Sequence, residues 1–137
     1  MNTKIMNDPW KKDTNDRYLE TVKAVMGLST ASLLLPAFFS RNFLDIPPNT
    51  PLICIFNFSI YLAWVLLGLS ILGSIFFHYL SAKWVRIAWG KKAGIFWSVD
   101  TQETKVELCM ETAFWVCIIG FLLGVGCTLY FFITIRF

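Results

Sequence analysis

LICIFNFSIYLAWVLLGLSILGSIFF, residues 52–77, is the stretch that decides the fold of this 137-residue chain. It contains no Asp, Glu, Lys or Arg, so it offers no charged face to water. A helix rises about 1.5 Å per residue, and the hydrocarbon core of a bilayer is roughly 30 Å thick. The stretch is therefore long enough to cross a membrane, and we predict that it is a transmembrane helix.

Two further apolar blocks lie on either side of this stretch. Residues 112–135 are also free of charge, whereas residues 24–39 form a shorter block that includes Pro36 and several hydroxyl groups. We expect residues 18–23 to lengthen the shorter block, with Lys23 reaching the headgroups. The prediction is an all-α integral membrane protein in one domain, with three spans at about 19–40, 52–78 and 110–135.

A cleaved signal peptide is the rival interpretation of the first block, because charged residues precede an apolar run of suitable length. A signal peptidase requires small residues near its cleavage point. Bulky Phe38 and Phe39 stand there instead, and the preceding segment carries acidic as well as basic residues. We therefore favour a retained helix.

The distribution of positive charge predicts the orientation. The chain has 12 Lys and Arg residues, and only Arg41 and Arg136 lie on the side of the first loop and the C-terminus. By the positive-inside rule, the N-terminus and the connection 79–109 are cytoplasmic and the C-terminus is outside. The remaining ten are Lys4, Lys11, Lys12, Arg17, Lys23, Lys83, Arg86, Lys91, Lys92 and Lys105.

The ends of the predicted helices carry recognisable signals. Residues 1–15 lack periodicity and read as a cytoplasmic tail, with Asp13 or Thr14 capping the first helix. Pro36 should kink or end that helix. The second helix should project past the membrane surface into the cytoplasm, and the third should start in the cytoplasm near Asp100 or Thr104.

The loop between the first two spans is short and contains Pro47, Pro48 and Pro51, so these spans should form a hairpin. Asn57 is expected to hydrogen-bond across a helix interface.

Basic and aromatic residues cluster after the second span, as expected for an interfacial segment on an anionic inner leaflet. An anchor to membrane lipids is the simplest role for these residues. The candidate anchors are Trp84, Trp89, Trp97, Lys83, Arg86, Lys91 and Lys92.

No residue pattern indicates catalysis or a cofactor. Cys54, Cys109, Cys117 and Cys127 lack metal-site spacing, and His78 is the only histidine, so the cysteines read as small apolar packing residues. The sequence has no metalloprotease helix motif, no nucleophile elbow and no phosphate-binding loop. We expect no enzymatic activity, no cofactor, no metal and no direct nucleic-acid binding.

A stripe of small residues follows one side of the third predicted helix. At 100° per residue, its members fall within an arc of about 80°, which permits close approach of another helix. Ser70 and Ser74 mark a similar surface on the second helix. These surfaces either close a monomeric three-helix bundle or join subunits, and we favour a homo-oligomer. The stripe consists of Cys109, Ala113, Cys117, Gly120, Gly124 and Cys127.

Three carboxylates, Glu103, Glu107 and Glu111, recur at every fourth residue and climb one side of the third helix. Rings of such carboxylates in a symmetric assembly would concentrate cations at the inner mouth of a pore. The alternative is an exposed helix face, where the helix dipole favours acids near the N-terminus and a salt bridge with Lys83, Arg86 or Lys105 satisfies Glu111.

Three functions are consistent with these observations. The first is a small homo-oligomeric channel or membrane-disrupting effector of the bacterial inner membrane, of the kind used in stress responses or phage defence. The second is a non-catalytic accessory subunit or scaffold of a larger membrane complex. The third is a small transporter component, although uncharged span interiors disfavour it. The charged cytoplasmic helix ends could receive a regulatory partner or ligand.

Overall fold

A computed structural model of the protein describes residues 9–43, 47–88 and 103–136. These residues contain no strand. Each of the three α-helices includes an apolar segment long enough to cross a membrane, which confirms the prediction of an all-helical, membrane-integral chain at that level. The elements are α1 (Pro9–Phe43), a short 3-10 helix (Leu52–Cys54), α2 (Phe58–Ala88) and α3 (Glu103–Arg136).

All three helices are longer than a bilayer core requires. They contain 35, 31 and 34 residues, which corresponds to about 46–52 Å at a helical rise of about 1.5 Å per residue. Because the hydrocarbon core is roughly 30 Å thick, each helix is longer than a straight crossing of that core.

Two side-chain hydrogen bonds define the pairing of α1 with α2. The Asn15 amide nitrogen donates to Ser81 Oγ at 2.9 Å, and the Ser29 and Ser70 hydroxyl oxygens lie 3.0 Å apart. Residue numbers rise along α1 as they fall along α2. The two helices are therefore antiparallel, as the short proline-containing loop predicted.

The pairing of α2 with α3 is also antiparallel. Ser70 on α2 contacts Cys117 on α3, whereas Trp84, further along α2, contacts Glu107, further back on α3. α1 consequently runs parallel to α3, and the bundle has an up-down-up topology.

Buried positions recur three or four residues apart on each helix, which is the spacing that keeps one helix face turned toward its neighbours. On α1 these positions include Val22, Val25 and Ser29. The main apolar cluster lies toward the end of the bundle where α1 begins, and it contains Val22, Val25, Phe77, Leu80, Trp84, Val106, Met110 and Cys117.

α1 begins earlier than the sequence analysis predicted. Pro9 is its first residue, a position where the missing N–H group costs nothing. Asp13 and Thr14 therefore lie inside the helix and do not cap it. Thr14 Oγ1 donates to the Trp10 carbonyl at 2.8 Å, and Asp13 pairs with Arg17 at 3.1 Å.

Pro36 lies inside α1, which continues to Phe43. The proline is fully buried, and the Ser40 hydroxyl donates to the Pro36 carbonyl. The prediction that Pro36 could end the helix is therefore wrong.

α2 begins later than predicted, because Asn57 caps it. The Phe58 N–H donates to Asn57 Oδ1 at 2.7 Å, and the Ile60 N–H donates to the Asn57 carbonyl at 3.0 Å. This satisfies N–H groups that the first helical turn leaves without partners. Asn57 is exposed. The prediction that it hydrogen-bonds across a helix interface is therefore wrong.

Candidate functional site

Helices α2 and α3 approach closely where glycine stands in place of a larger residue. We call this contact the α2–α3 seam, and it is formed by Ser70, Gly73, Cys117, Gly120 and Gly124. A Cβ atom added at Gly73 would lie 3.1 Å from the Cys117 backbone nitrogen. One added at Gly120 would lie 3.0 Å from the Leu66 carbonyl oxygen. The backbones themselves are thus in contact, and dispersion forces act over the full length of the seam.

A chain of hydrogen bonds crosses the seam in the bundle interior. Ser70 Oγ donates to the Cys117 carbonyl at 2.7 Å. Since a hydroxyl has one proton, Ser70 must accept the bond from Ser29 on α1, 3.0 Å away. One buried serine thereby joins all three helices.

Ser74 extends this network by one turn. Its hydroxyl donates to the Ser70 carbonyl at 2.9 Å and lies 3.0 Å from Cys117 Sγ. Because the Ser74 proton is already used, the Cys117 thiol, a weak donor, donates to the Ser74 hydroxyl oxygen. Cys117 is buried at this contact, as expected for a packing residue, whereas Cys54 is exposed.

Of the other members of the predicted stripe, Ala113 borders the seam, because its carbonyl oxygen would lie 3.2 Å from a Cβ atom added at Gly73. Ala113 and Cys127 are half-buried and Cys109 is exposed. All four cysteines are free thiols. Within the described parts of the chain, no group of three or more His, Cys, Asp or Glu residues is placed to hold a metal ion.

A cavity of about 440 Å³ opens at the end of the bundle where α1 begins and α2 ends. We call it the acidic–aromatic cavity, because aromatic rings and two carboxylates form most of its wall. All three helices contribute to it. It is lined by Trp10, Lys11, Thr14, Asn15, Tyr18, Phe77, Trp84, Glu107, Met110, Glu111, Phe114 and Trp115.

The acidic row of α3 borders this cavity. Glu107 Oε1 accepts a long hydrogen bond from Trp84 Nε1 at 3.4 Å. Glu111 forms no salt bridge to Lys83, Arg86 or Lys105 among the described side chains, so the predicted pairing does not occur. The side chain of Glu103 lies outside the described residues.

The aromatic part of the wall is a set of rings in mutual contact. The Tyr18 and Phe114 ring centres are 4.9 Å apart in an edge-to-face arrangement. Phe77 approaches both rings, at 6.4 Å from Tyr18 and 6.1 Å from Phe114. Such edge-to-face pairs are favourable because the positive ring edge meets the negative ring face.

The predicted interfacial anchors fall in different environments. Trp84 and Lys83 are buried, and Lys83 Nζ lies 4.7 Å from the centre of the Tyr79 ring. Arg86 is exposed in the last turn of α2. The candidate anchors Trp89, Lys91, Lys92 and Trp97 lie outside the described residues.

Sequence reasoning missed the α1 side of the cavity. The sequence predicts a tail that includes Trp10 and Lys11, because residues 1–15 show no apolar periodicity, and it predicts only a helix extension at Tyr18. The signal that could have located them is Pro9, a residue favoured at the first position of a helix.

Comparison with protein-family models, with curated proteins and with solved structures gives no match to this chain. In the described residues, the class of protein is defined by three helices that are long and apolar enough to cross a membrane.

Replacement of Gly120 by Leu should destabilise the bundle, because the atoms in its way are backbone atoms that cannot move aside. Overpacking typically costs about 1–3 kcal/mol, and more where backbones must separate. The measurement is the unfolding free energy in mixed micelles. Gly126→Leu is the matched control, since nothing lies within 4 Å of a Cβ atom at Gly126. Equal unfolding free energies of the two variants would contradict the close approach of α2 and α3 at Gly120.

Proposed function

We propose that the protein is a small, non-catalytic membrane effector of the bacterial inner membrane, which acts as a homo-oligomer and alters bilayer permeability. The N-terminus and the 79–109 connection are cytoplasmic, and the C-terminus is outside. The helical turns at the acidic–aromatic cavity then extend into the cytoplasm.

The observation that carries this proposal is an open face of small residues on α1. Ala24, Gly27 and Ala31 are exposed, and nothing lies within 4 Å of a Cβ atom added at Gly27. Gly27 and Ala31 are four residues apart, a spacing that allows two helices in lipid to approach closely. The seam glycines of α3, in contrast, already contact α2 of the same chain.

The small residues of α3 therefore pack within the protomer, whereas those of α1 are available to another subunit. A Cβ atom at Gly124 would lie 2.7 Å from Leu67 Cγ within the same protomer. A bulky residue at Gly124 would therefore disturb the protomer itself, and its effect on assembly would not report on subunit contacts. The face on α1 is the better surface for that test.

The carboxylates support a role near a conduction path. Glu107 and Glu111 are exposed at the charged end of the bundle. Repetition of these groups around a symmetry axis would raise the local concentration of cations at the inner mouth. Hydroxyls on the outer surface, such as that of Thr30, bond to carbonyls one turn back and so tolerate lipid.

An accessory subunit of a larger membrane complex is the alternative, because the face at Gly27 fits a small-residue helix of a different protein equally well. A transporter component is the third candidate. The mass of the native complex distinguishes a homo-oligomer from a hetero-complex.

Topology can be tested directly. A reporter enzyme that works only in the cytoplasm should be active when fused to the N-terminus. A reporter that works only outside should be active when fused after residue 137. The physical reason is the concentration of Lys and Arg on the side of the N-terminus and the second connection. Reporters in the 79–109 connection serve as a third point. An outward connection would contradict the proposed orientation.

Gly27→Leu should reduce the native protein to smaller species, because the side chain prevents backbone approach at the α1 face. The measurement is the mass of the intact complex in mild detergent. Gly126→Leu is the control, since Gly126 is equally open but has bulky Leu122 and Tyr130 one turn away. A wild-type protein that is monomeric without a partner would contradict the proposal.

Ion flux through reconstituted vesicles tests the effector role. The wild-type protein should release a cationic dye or support cation flux, and Glu111→Gln should lower the preference for cations over anions by removing a negative charge from the mouth. Glu20→Gln, on the exposed side of α1, is the control. An assembled wild-type protein without flux would favour the scaffold.

A further inference from the structure

We propose that the acidic–aromatic cavity binds an organic ammonium cation, with quaternary ammonium as the preferred class. This binding site is formed by side chains of a single protomer, so its test requires neither assembly nor flux. The size of the cavity, its aromatic rings and its charge favour this class of ligand.

The cavity has the dimensions of a small-molecule site. Its volume of about 440 Å³ falls in the range of about 300–1,000 Å³ found for ligand pockets. A bare Mg²⁺ or Ca²⁺ ion is poorly matched, since these ions need six or more oxygen ligands at about 2.0–2.6 Å. An apolar wall with two carboxylates supplies too few.

The rings give the cavity its affinity for a soft cation. Aromatic residues make up half of its lining, six of the twelve side chains. The negative face of an aromatic ring attracts a cation within about 6 Å, and Trp is the most effective residue type. The three tryptophans are Trp10, Trp84 and Trp115.

The chain's own ammonium group already uses one of these faces. Lys11 Nζ lies 5.9 Å from the centre of the Trp10 ring, at the wall of the cavity. The local geometry therefore accommodates a cation over an indole. A free cation would bind over the other rings of the lining, which include Tyr18 and Trp115.

The formal charge of the wall is negative. Glu107 and Glu111 contribute two negative charges and Lys11 one positive charge, so −2 + 1 leaves a net −1 at neutral pH. Glu111 has no hydrogen-bond or ion-pair partner among the described side chains. A bound monocation would neutralise the wall and give this carboxylate a partner.

The remaining polar groups of the wall are committed elsewhere. Thr14 Oγ1 donates to the Trp10 carbonyl, and the Asn15 amide bonds with Ser81. These groups leave few donors for an anionic or sugar-like ligand. Selectivity in the cavity thus comes from charge and ring contacts.

A quaternary ammonium suits this wall better than a primary amine. A primary ammonium is strongly hydrated through its three N–H donors. The rings cannot replace the hydrogen bonds to water that these donors lose on binding. A trimethylammonium group has no N–H to satisfy, and its methyl groups pack against aromatic faces. The same group occurs in free choline compounds and in phosphatidylcholine headgroups, so either source fits the chemistry.

Calorimetric titration of the full-length protein in maltoside micelles tests the proposal with three probes. Choline should bind more tightly than ethanolamine and at least about tenfold more tightly than 3,3-dimethyl-1-butanol, its neutral carbon isostere. Ethanolamine binding as tightly as choline would overturn the role of the rings. Equal binding of the neutral alcohol, or no binding by a folded helical protein, would overturn the site.

Two variants locate the site. Glu111→Gln and Trp115→Leu should each weaken choline binding by about tenfold. Both side chains are exposed enough for the bundle to tolerate the change, which helical circular dichroism verifies. Glu20→Gln, an exposed acid outside the cavity, should leave binding unchanged. Loss of binding in all three variants, or in none, would contradict this location.

Nanodiscs distinguish the two sources of the cation. If lipid headgroups fill the cavity, choline should bind in phosphatidylglycerol discs and lose affinity in phosphatidylcholine discs, and native mass spectrometry should retain phosphatidylcholine on the wild type but not on Trp115→Leu. If the ligand is free, affinity should be equal in both discs. Either result supports a quaternary ammonium site, whereas absence of choline binding in phosphatidylglycerol discs overturns it.

Discussion

The bundle depends on the requirement that polar groups in a bilayer find partners inside the protein. Ser70 meets it by donating to the Cys117 carbonyl and accepting from Ser29, so one hydroxyl connects three helices. Water is not available there to replace a lost bond. A shift of any helix by one turn would break a bond that Ser70 makes to a neighbouring helix, so this hydroxyl contributes to the register of the bundle.

The fixed register also determines what meets at the end of the bundle. Tyr18 lies 11 residues before Ser29 on α1, and Glu107 lies 10 residues before Cys117 on the parallel helix α3. At about 1.5 Å per residue these positions are nearly level. Trp84, 14 residues after Ser70 on the antiparallel α2, reaches the same end and bonds Glu107. The acidic–aromatic cavity therefore follows from an alignment established deeper in the bundle.

Sequence alone predicts the parts of this structure that depend on local composition. Charge-free blocks identify the three helices, because a backbone in lipid has no alternative to internal hydrogen bonding. A stripe containing Gly120 and Gly124 indicates that some helix approaches closely, but it does not say which helix, since a neighbour in the chain and a second subunit have the same chemistry. The cavity escaped prediction because the first turns of α1 lack an apolar repeat and owe their position to Tyr18 packing on Phe114.

α1 carries both surfaces that the proposals use. Its first turns form one wall of the cavity, and its middle turns present Gly27 on the exposed side. A ligand in the cavity would contact the same helix that would meet another subunit. If both equilibria involve α1, linkage requires that assembly change cation affinity by the same factor by which the cation changes assembly.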